Sequence, residues 1–260
     1  MSFQPETQTT SIATHTNDDI FIRDESLCRA LIGKLSFTEM IYFQMLGRKP
    51  SAAQTAVLDA CLVTLMEHGL TPSALATRLI YSSAPEAMQS AVAAGLMGVG
   101  SVFVGTMDGA AALIARMLAA EGGVAAEAEA IAREHRAAKT PLPGFGHNLH
   151  KPDDPRTPAL FALAEAEGVA GKHIEAMRTL SAAVDEVYGR HITINATGAI
   201  AAALGDCGVP PEIMRGFALI ARCAGLVGHV HEEQAKPAMR AIWEAADAAV
   251  PYDGAAGRKE

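Results

Sequence analysis

Residues 141–156 read PLPGFGHNLHKPDDPR. Two prolines and two glycines stand among the first six of these residues, a composition that is incompatible with a helix and favours a tight, exposed loop. This loop carries His147, whose imidazole can donate or accept a proton near neutral pH. Nine residues further on, Arg156 offers a planar guanidinium that suits a carboxylate. The stretch therefore predicts a loop that presents a proton donor or acceptor beside an anion-binding group.

The end of the same stretch predicts the start of a helix. Asp154 and Pro155 have the residue types of an N-cap and a first helical turn, which would hold Arg156 near the N-terminus of that helix. The positive end of the helix and the guanidinium would then both favour an anion.

Two further segments complete a pattern. Residues 192–200 read ITINATGAI, and residues 218–234 read ALIARCAGLVGHVHEEQ. With residues 141–156 they resemble, in the same order, the "GFGH…K…DPR", "NVDG" and "IAR…G…GH…EQ" segments of the citrate synthase superfamily. The likeness is strongest to short citryl-CoA lyases and to the C-terminal citryl-CoA lyase domain of ATP-citrate lyase, and it extends more weakly from about residue 25 to the end.

The resemblance implies an all-α, citrate synthase-like fold with a large helical domain and a smaller domain that closes over the ligand. Mapped on this chain, residues 1–22 form a flexible N-terminal tail, residues 23–149 and 223–260 the large domain, and residues 150–222 the small domain. Composition agrees with helices, because half of the residues are hydrophobic and only 5% are aromatic. A core built from small aliphatic side chains favours closely packed helices.

Helix signals follow the chain from residue 36 onward. Ser36 and Ser51 each stand three residues before a Glu or Gln, which is the spacing of a capping box. Apolar residues then recur at helical spacing. The predicted helices cover about 36–47, 51–69, 71–84, 85–98, 107–120, 124–138, 156–167, 171–189, 197–206, 211–234 and 237–248. Residues 191–195 are the one short segment that we expect to be extended.

The resemblance also assigns the site. His147 is expected to act on the keto or hydroxyl oxygen of the substrate, and Thr197 occupies the acid/base position. Arg156 and Arg222 are expected to bind substrate carboxylates. The coenzyme A thioester, which is a substrate of the family, is expected to lie against Gly144, Phe145, Gly146 and Lys151.

The chain departs from the family pattern at several of these positions. The family has an Asp where Thr197 stands, and a threonine hydroxyl is no general base unless another group activates it. Ala76 replaces a substrate-contacting His, which suggests a substrate that is less carboxylated or bulkier than citrate. Val102 replaces an Arg of the lyases, and the counterpart of His68 is more structural than catalytic. The candidate substitute carboxylates are Asp108, Glu232 and Glu233.

We expect no metal. The alternative is a site that combines His147 and His150 with His229, His231 and Glu232, although their spacing matches no strong zinc signature. A net charge of −8 argues against nucleic acid or an anionic membrane as the main partner.

The remaining sequence features favour a cytoplasmic protein. No signal peptide precedes the fold, no apolar run reaches the roughly 18 residues of a membrane span without polar interruption, and the four cysteines contain no C-x-x-C pair. We expect Cys28, Cys61, Cys207 and Cys223 to be buried, reduced thiols.

The family forms helical dimers, so a homodimer or a higher homo-oligomer is expected. The apolar stretch 85–99 is either its interface or a helix buried within the chain, and Arg240 is placed to reach a partner's site.

Together these observations favour a citryl-CoA lyase-like or citrate synthase-like enzyme. It would cleave or form a C–C bond between an acyl-CoA and a keto acid. The alternative is a non-catalytic homologue that binds an acyl-CoA or a polycarboxylate.

Overall fold

The computed structural model describes residues 8–102 and 104–254. Helices dominate this part of the chain, which confirms the all-α prediction. Their bounds are α1 (Phe37–Leu46), α2 (Ala52–Met66), α3 (Pro72–Ser83), α4 (Met88–Met97), α5 (Thr106–Ala119), α6 (Val124–Ala138), α7 (Arg156–Ala166), α8 (Lys172–Tyr188), α9 (Ala196–Asp206), α10 (Met214–Ala235) and α11 (Met239–Ala249). Short helical turns cover Leu27–Leu31 and Pro211–Ile213.

Both predicted capping boxes are present. The Ser36 hydroxyl accepts a hydrogen bond from the backbone N–H of Glu39, and the Glu39 carboxylate accepts one from the Ser36 N–H. Ser51 and Gln54 make the same reciprocal pair at the start of α2. Each pair satisfies two backbone donors that a helix start would otherwise leave without partners.

Small residues bring the helices close together. Nearly all of α9 is buried, including every residue from 198 to 205. Gly225 of α10 lies so close to the end of α2 that a Cβ there would come within 2.0 Å of the Met66 carbonyl oxygen. Gly95 of α4 lies equally close to the Thr77 hydroxyl of α3. The Ala- and Gly-rich composition therefore allows the close helix packing that we expected.

The N-terminal segment differs from the predicted tail. Residues 1–7 lie outside the described residues, but Ala13–His15 (β1), Ile20–Ile22 (β2) and Glu25–Ser26 (β3) form a small antiparallel sheet in the order β1-β2-β3. The Arg23 guanidinium donates to the Gln44 carbonyl at the end of α1, so the sheet is attached to the helical body. The strands are too short to show an alternating pattern, which is why sequence reasoning missed them.

The division into a large and a small domain stays a prediction. The predicted boundary between residues 222 and 223 falls inside α10, which runs unbroken from residue 214 to residue 235. From the segment predicted as the small domain, α8 packs on α6 and α9 packs on α5. One hydrophobic core includes side chains from both of these predicted domains.

Helix α10 meets a length and composition criterion for a membrane span, although Arg215, Arg222 and His229 interrupt its apolar residues, as expected. Residues Pro211–Ala235 are long and apolar enough to cross a membrane by length and composition. This helix nevertheless packs against α2, α3 and α4, and it carries Arg222 and Glu233 as buried side chains. We interpret it as a core helix of this fold.

The cysteines follow the prediction only in part. All four are free thiols, and Cys61 and Cys207 are buried. Burial raises the pKa of Cys207 to about 12. Cys28, in contrast, is exposed in the short turn Leu27–Leu31, and Cys223 is partly exposed at the edge of a small core cluster on α10.

Candidate functional site

The loop that carries His147 is fixed to the segment before α9. Residues 145 and 194 form an isolated antiparallel bridge, which confirms the extended segment predicted for 191–195. The N–H of Gly146 donates to Thr193 O, and the N–H of Asn195 donates to Gly144 O. Gly144 has a φ of +85°, and a Cβ on Gly198 would lie 2.5 Å from the Gly144 carbonyl oxygen. Both glycines are therefore needed for the loop to contact the start of α9.

Asp154 holds Arg156 in place. The Asp154 carboxylate is fully buried and accepts four hydrogen bonds, three from Arg156 (backbone N, Nε and Nη2) and one from the backbone N–H of Ala196. Burial alone would raise the pKa of Asp154, but these hydrogen bonds hold it below its ordinary value. Pro155, rather than Asp154, is the residue before the first turn of α7, so the predicted cap is shifted by one residue.

The ring of His147 has a defined orientation. Its Nδ1 accepts from the backbone N–H groups of Leu149 and His150 at 3.1 and 3.0 Å. A neutral imidazole has one donor and one acceptor nitrogen, so Nε2 carries the proton. Nε2 lies 3.4 Å from Nη2 of Arg156. Two N–H donors therefore converge on the same space, and an oxygen atom of a ligand would satisfy both.

The surroundings of His147 favour its neutral form. Burial lowers its pKa below the ordinary value, and the nearby His150 and Arg156 lower it further, against the opposing effect of Asp154. Burial and Arg156 likewise lower the pKa of His68.

A cavity of about 190 Å³ collects most of the predicted site residues. His147, Arg156, Thr197 and Arg222 all line it. Its other lining residues are Thr64, Leu65, His68, Thr71, Pro72, Ser73, Gly98, Val102, Val104, Thr106, Asn195 and Ala196.

Ala76 does not belong to this set. Pro72 and Ser73, one turn earlier on α3, line the cavity, whereas the short side chain of Ala76 is not part of the lining. The inference that Ala76 enlarges the site, and with it the argument for a bulkier or less carboxylated substrate, stays a prediction.

His68 is a cavity residue that sequence reasoning took for a structural one. Its Nδ1 lies 3.3 Å from Nη1 of Arg156. Glu67 fixes its backbone, because Glu67 Oε1 accepts from the N–H groups of His68 and Gly69. Glu67 Oε2 in turn lies 2.9 Å from Nε2 of His229 on α10. The triplet Glu67-His68-Gly69 is the only signal in the sequence that could have identified His68 as a cavity residue.

Arg222 is a buried cation without a partner for two of its nitrogens. It is 4% exposed, and its Nε and Nη1 make no hydrogen bond with any residue that the structure describes. Burial lowers its pKa, and only Glu67 opposes this effect. A buried, unpaired guanidinium is costly, and a carboxylate in the cavity would satisfy it.

Thr197 belongs to a chain of neutral groups. Its hydroxyl donates to Asn195 Oδ1 at 2.7 Å and lies 2.7 Å from the Thr106 hydroxyl. Asn195 Oδ1 also accepts from the N–H groups of Thr197 and Gly198, while its Nδ2 donates to Gly146 O. The amide orientation is thus fixed by its partners, and the proton of Thr197 is directed at Asn195.

The three substitute carboxylates are engaged elsewhere. Asp108 pairs with Arg215, and both Glu232 and Glu233 pair with the buried guanidinium of Arg78. None of the three lines the cavity. Among the described residues that do line it, there is no Asp or Glu.

The predicted coenzyme A loop lines a groove that joins the cavity. Gly144, Phe145, Gly146 and Lys151 all border this groove, whose volume is about 1240 Å³. Arg190 borders it too and was not predicted. Seven of the described residues line both the groove and the cavity and so mark the junction between them: His68, Thr71, Pro72, Val102, Thr106, His147 and Asn195.

The histidines that lie close together are only partly those of the alternative metal site considered from the sequence. His68, His147 and His150 place their nitrogens within 4.8 Å of one another, as a metal would require. His229, however, is bonded to Arg78 and lies outside this group. The guanidinium of Arg156 points at His68 and His147, and such a neighbour disfavours a bound cation. The absence of a metal stays a prediction.

The helical fold and its cavity define a member of the citrate synthase class of helical proteins. The family model described as "Citrate synthase, C-terminal domain" matches residues 11–243. The chain belongs to the citrate synthase family.

Individual relatives agree with this assignment. The structure of citryl-CoA lyase from Hydrogenobacter thermophilus is 31% identical, with a TM-score of 0.86 and a coverage of 98% of both chains. ATP citrate lyase from Methanothrix soehngenii, solved with citrate and coenzyme A, shares the fold at 19% identity and a TM-score of 0.79, over 99% of this chain and 44% of that one. The Citrate/2-methylcitrate synthase of Bacillus subtilis is 25% identical over 205 residues, 77% of this chain and 53% of that protein. The chain thus spans about half the length of the curated relatives it matches.

The buried carboxylate gives a stability prediction. Replacing Asp154 by Asn (D154N) leaves one acceptor oxygen and adds a donor that faces other donors, so the free energy of unfolding should fall by about 3 kcal/mol. The matched control is Asp153→Asn, since this neighbouring side chain is mostly exposed and should change the value by less than about 1 kcal/mol. Urea unfolding followed by circular dichroism measures both, and equal effects would contradict the role of Asp154.

The environment of His147 gives a titration prediction. Its imidazole should titrate below the ordinary value of 6.5, as measured by NMR of the ring protons and assigned with His147→Ala. The native state then binds this proton less tightly than the unfolded chain does. The contribution of His147 to stability is therefore present above pH 6.5 and is lost as the pH falls through the lowered pKa. A titration midpoint above 6.5 would overturn this description of the site.

Proposed function

We propose that this chain is a coenzyme A-dependent enzyme that forms or cleaves a C–C bond between an acyl-CoA and a keto acid, in the manner of a citryl-CoA lyase or a citrate synthase. The observation that supports this most strongly is the buried guanidinium of Arg222, which has two unpartnered nitrogens in a cavity that it shares with Arg156 and His147. A carboxylate is the ligand that this arrangement lacks.

Each of these side chains then has a distinct role. Arg222 and Arg156 bind carboxylates of the keto acid, or of the corresponding part of a hydroxyacyl-CoA. The Nε2–H of His147 donates to the keto or hydroxyl oxygen and polarises it while the C–C bond forms or breaks. Asp154 keeps Arg156 in position without contacting the substrate, because its oxygens are fully used.

The groove supplies the place for the thioester. Its volume of about 1240 Å³ and its continuity with the cavity suit a long ligand whose acyl end reaches His147. Gly144, Phe145 and Gly146 provide a surface for the pantetheine arm, and Lys151 and Arg190 provide cations for phosphates.

A non-catalytic homologue that binds an acyl-CoA or a polycarboxylate is the second candidate. The observation that favours it is Thr197, whose hydroxyl proton is directed at Asn195 and which has no carboxylate to activate it. In this case the cationic cavity would hold its ligand without turnover.

Assembly and location are part of the proposal. We expect a cytoplasmic homo-oligomer, with α4 as a candidate contact, since Met88 and Met97 are exposed although Ala91 and Val92 of the same helix are buried. Arg240 on α11 is exposed and, among the described residues, is bonded only to Glu244 of its own helix, so we expect it to be available to a second subunit.

A product assay tests the proposed activity. Incubation with citryl-CoA and related 3-hydroxyacyl-CoA esters should release a short acyl-CoA, detected by mass spectrometry, and His147→Ala should lower the rate by at least 100-fold. The matched control is His135→Ala, a partly exposed residue on α6 outside the site, which should retain the wild-type rate. Binding of these esters without any turnover would favour the non-catalytic homologue.

We expect Arg222 to lower the stability of the ligand-free protein and to raise its affinity for a carboxylate ligand. Replacing it by Met (R222M) removes a buried cation without partners, so the ligand-free protein should be at least as stable as the wild type. Affinity for oxaloacetate or citrate should fall by roughly 10- to 100-fold, because charge-assisted hydrogen bonds are lost. Differential scanning fluorimetry with and without ligand measures both effects. The control is Arg178→Met, a surface residue outside the cavity. Undiminished affinity in R222M would show that Arg222 does not bind the carboxylate.

A further inference from the structure

Two imidazoles, His68 and His147, and several neutral hydroxyl and amide groups line the junction between groove and cavity. Thr106 and Asn195 line both spaces, and Thr197 lies against them in the cavity. If the thioester occupies the groove and the keto acid the cavity, the α-carbon of the acyl group comes to this junction. The groups found there therefore determine how that carbon can become a nucleophile.

None of these groups is a base for a carbon-bound proton. Thr197 donates to Asn195, so Thr106 must donate to Thr197 across their 2.7 Å contact. His147 presents an N–H, because its Nδ1 is occupied by two backbone donors. His68 presents its other nitrogen as an N–H too, because Arg156, which can only donate, faces its Nδ1.

The nearby carboxylates do not provide this base either. The described residues that line the cavity include no Asp or Glu, and the nearby Asp154 is fully buried with both oxygens occupied. A simple acyl-CoA, which must lose an α-proton to become an enolate, finds no group at the junction to accept that proton.

We propose that the acyl substrate carries a carboxylate on its α-carbon, as in a thioester of the malonyl type, and that the enolate forms by decarboxylation. This inference rests on the proposed function of the site. The α-carbon to carboxylate bond breaks, its electron pair becomes the enolate, and CO₂ leaves. The enolate carbon then forms the new C–C bond with the keto carbon of the second substrate.

The protons balance without a carbon base. As the keto oxygen becomes an alkoxide, it takes a proton from His147 Nε2–H, and water replaces that proton on the imidazole. No oxidant, reductant or further substrate is needed, and the net change is the loss of one CO₂ and the uptake of one proton.

The surroundings of the junction suit a carboxylate that leaves as CO₂. An Asp at position 197 would repel a second negative charge beside it, whereas the hydroxyls of Thr106 and Thr197 do not. The apolar side chains of Val102 and Val104 line the same cavity.

The test compares malonyl-CoA with acetyl-CoA on the wild-type protein, each with oxaloacetate and in separate runs with pyruvate. Release of labelled CO₂ and formation of the condensed thioester are followed together. We expect malonyl-CoA to be consumed at least tenfold faster than acetyl-CoA, with one CO₂ released per malonyl-CoA, and we expect this reaction to be lost in His147→Ala.

A variant pair sharpens the comparison. Thr197→Asp should lower malonyl-CoA turnover at least tenfold, because the new carboxylate repels that of the substrate. Thr55→Asp, the same change in the first turn of α2 and away from the site, should keep the wild-type rate.

The outcomes separate this inference from the function on which it rests. Equal or faster use of acetyl-CoA would overturn the decarboxylative route and leave the proposed C–C chemistry standing. Binding of malonyl-CoA and oxaloacetate in calorimetry without CO₂ release would overturn it as well and would favour the binding homologue. If neither coenzyme A esters nor keto acids bind, the proposed function itself fails.

Discussion

The buried carboxylate of Asp154 is the interaction on which the site depends. A charge without exposure to water is stable only when its hydrogen-bonding capacity is filled, and four N–H groups from Arg156 and Ala196 fill it. These donors belong to the starts of α7 and α9, so one side chain fixes two helices relative to each other. The guanidinium of Arg156 then has only one edge left, and that edge faces His68 and His147.

The arginine side chains in the cavity lower the stability of the ligand-free protein. Asp154 compensates Arg156, but the guanidinium of Arg222 has no such partner for two of its nitrogens. A stable core alone would place an apolar side chain there. This difference between the two arginines supports the proposal that Arg222 binds an anionic ligand, whereas Arg156 is held in position by Asp154.

The sequence predicted local features, such as helix caps and turns, better than contacts between distant residues. The capping boxes at Ser36 and Ser51 and the turn-rich loop before Arg156 depend on neighbouring residues, so a single sequence contains the whole signal. The bond from Ala196 to Asp154 spans 42 residues, and no periodicity encodes it. The motif predicted Ala76 at the site but not Ser73, which lies one turn earlier on α3 and lines the cavity.

The local structure around Thr197 shows that an acidic residue is not excluded by the fold. Thr197 lies in the first turn of α9, behind the N-cap Asn195. A carboxylate in a first turn usually stabilises a helix by about 0.3–1 kcal/mol, and this side chain reaches a cavity that already holds two arginines. The helix start and the arginines favour a negative charge at this position, whereas the hydrogen bond from the Thr197 hydroxyl to Asn195 Oδ1 requires a donor there. The neutral hydroxyl therefore fits both the N-cap of α9 and the carboxylated acyl substrate proposed for the junction.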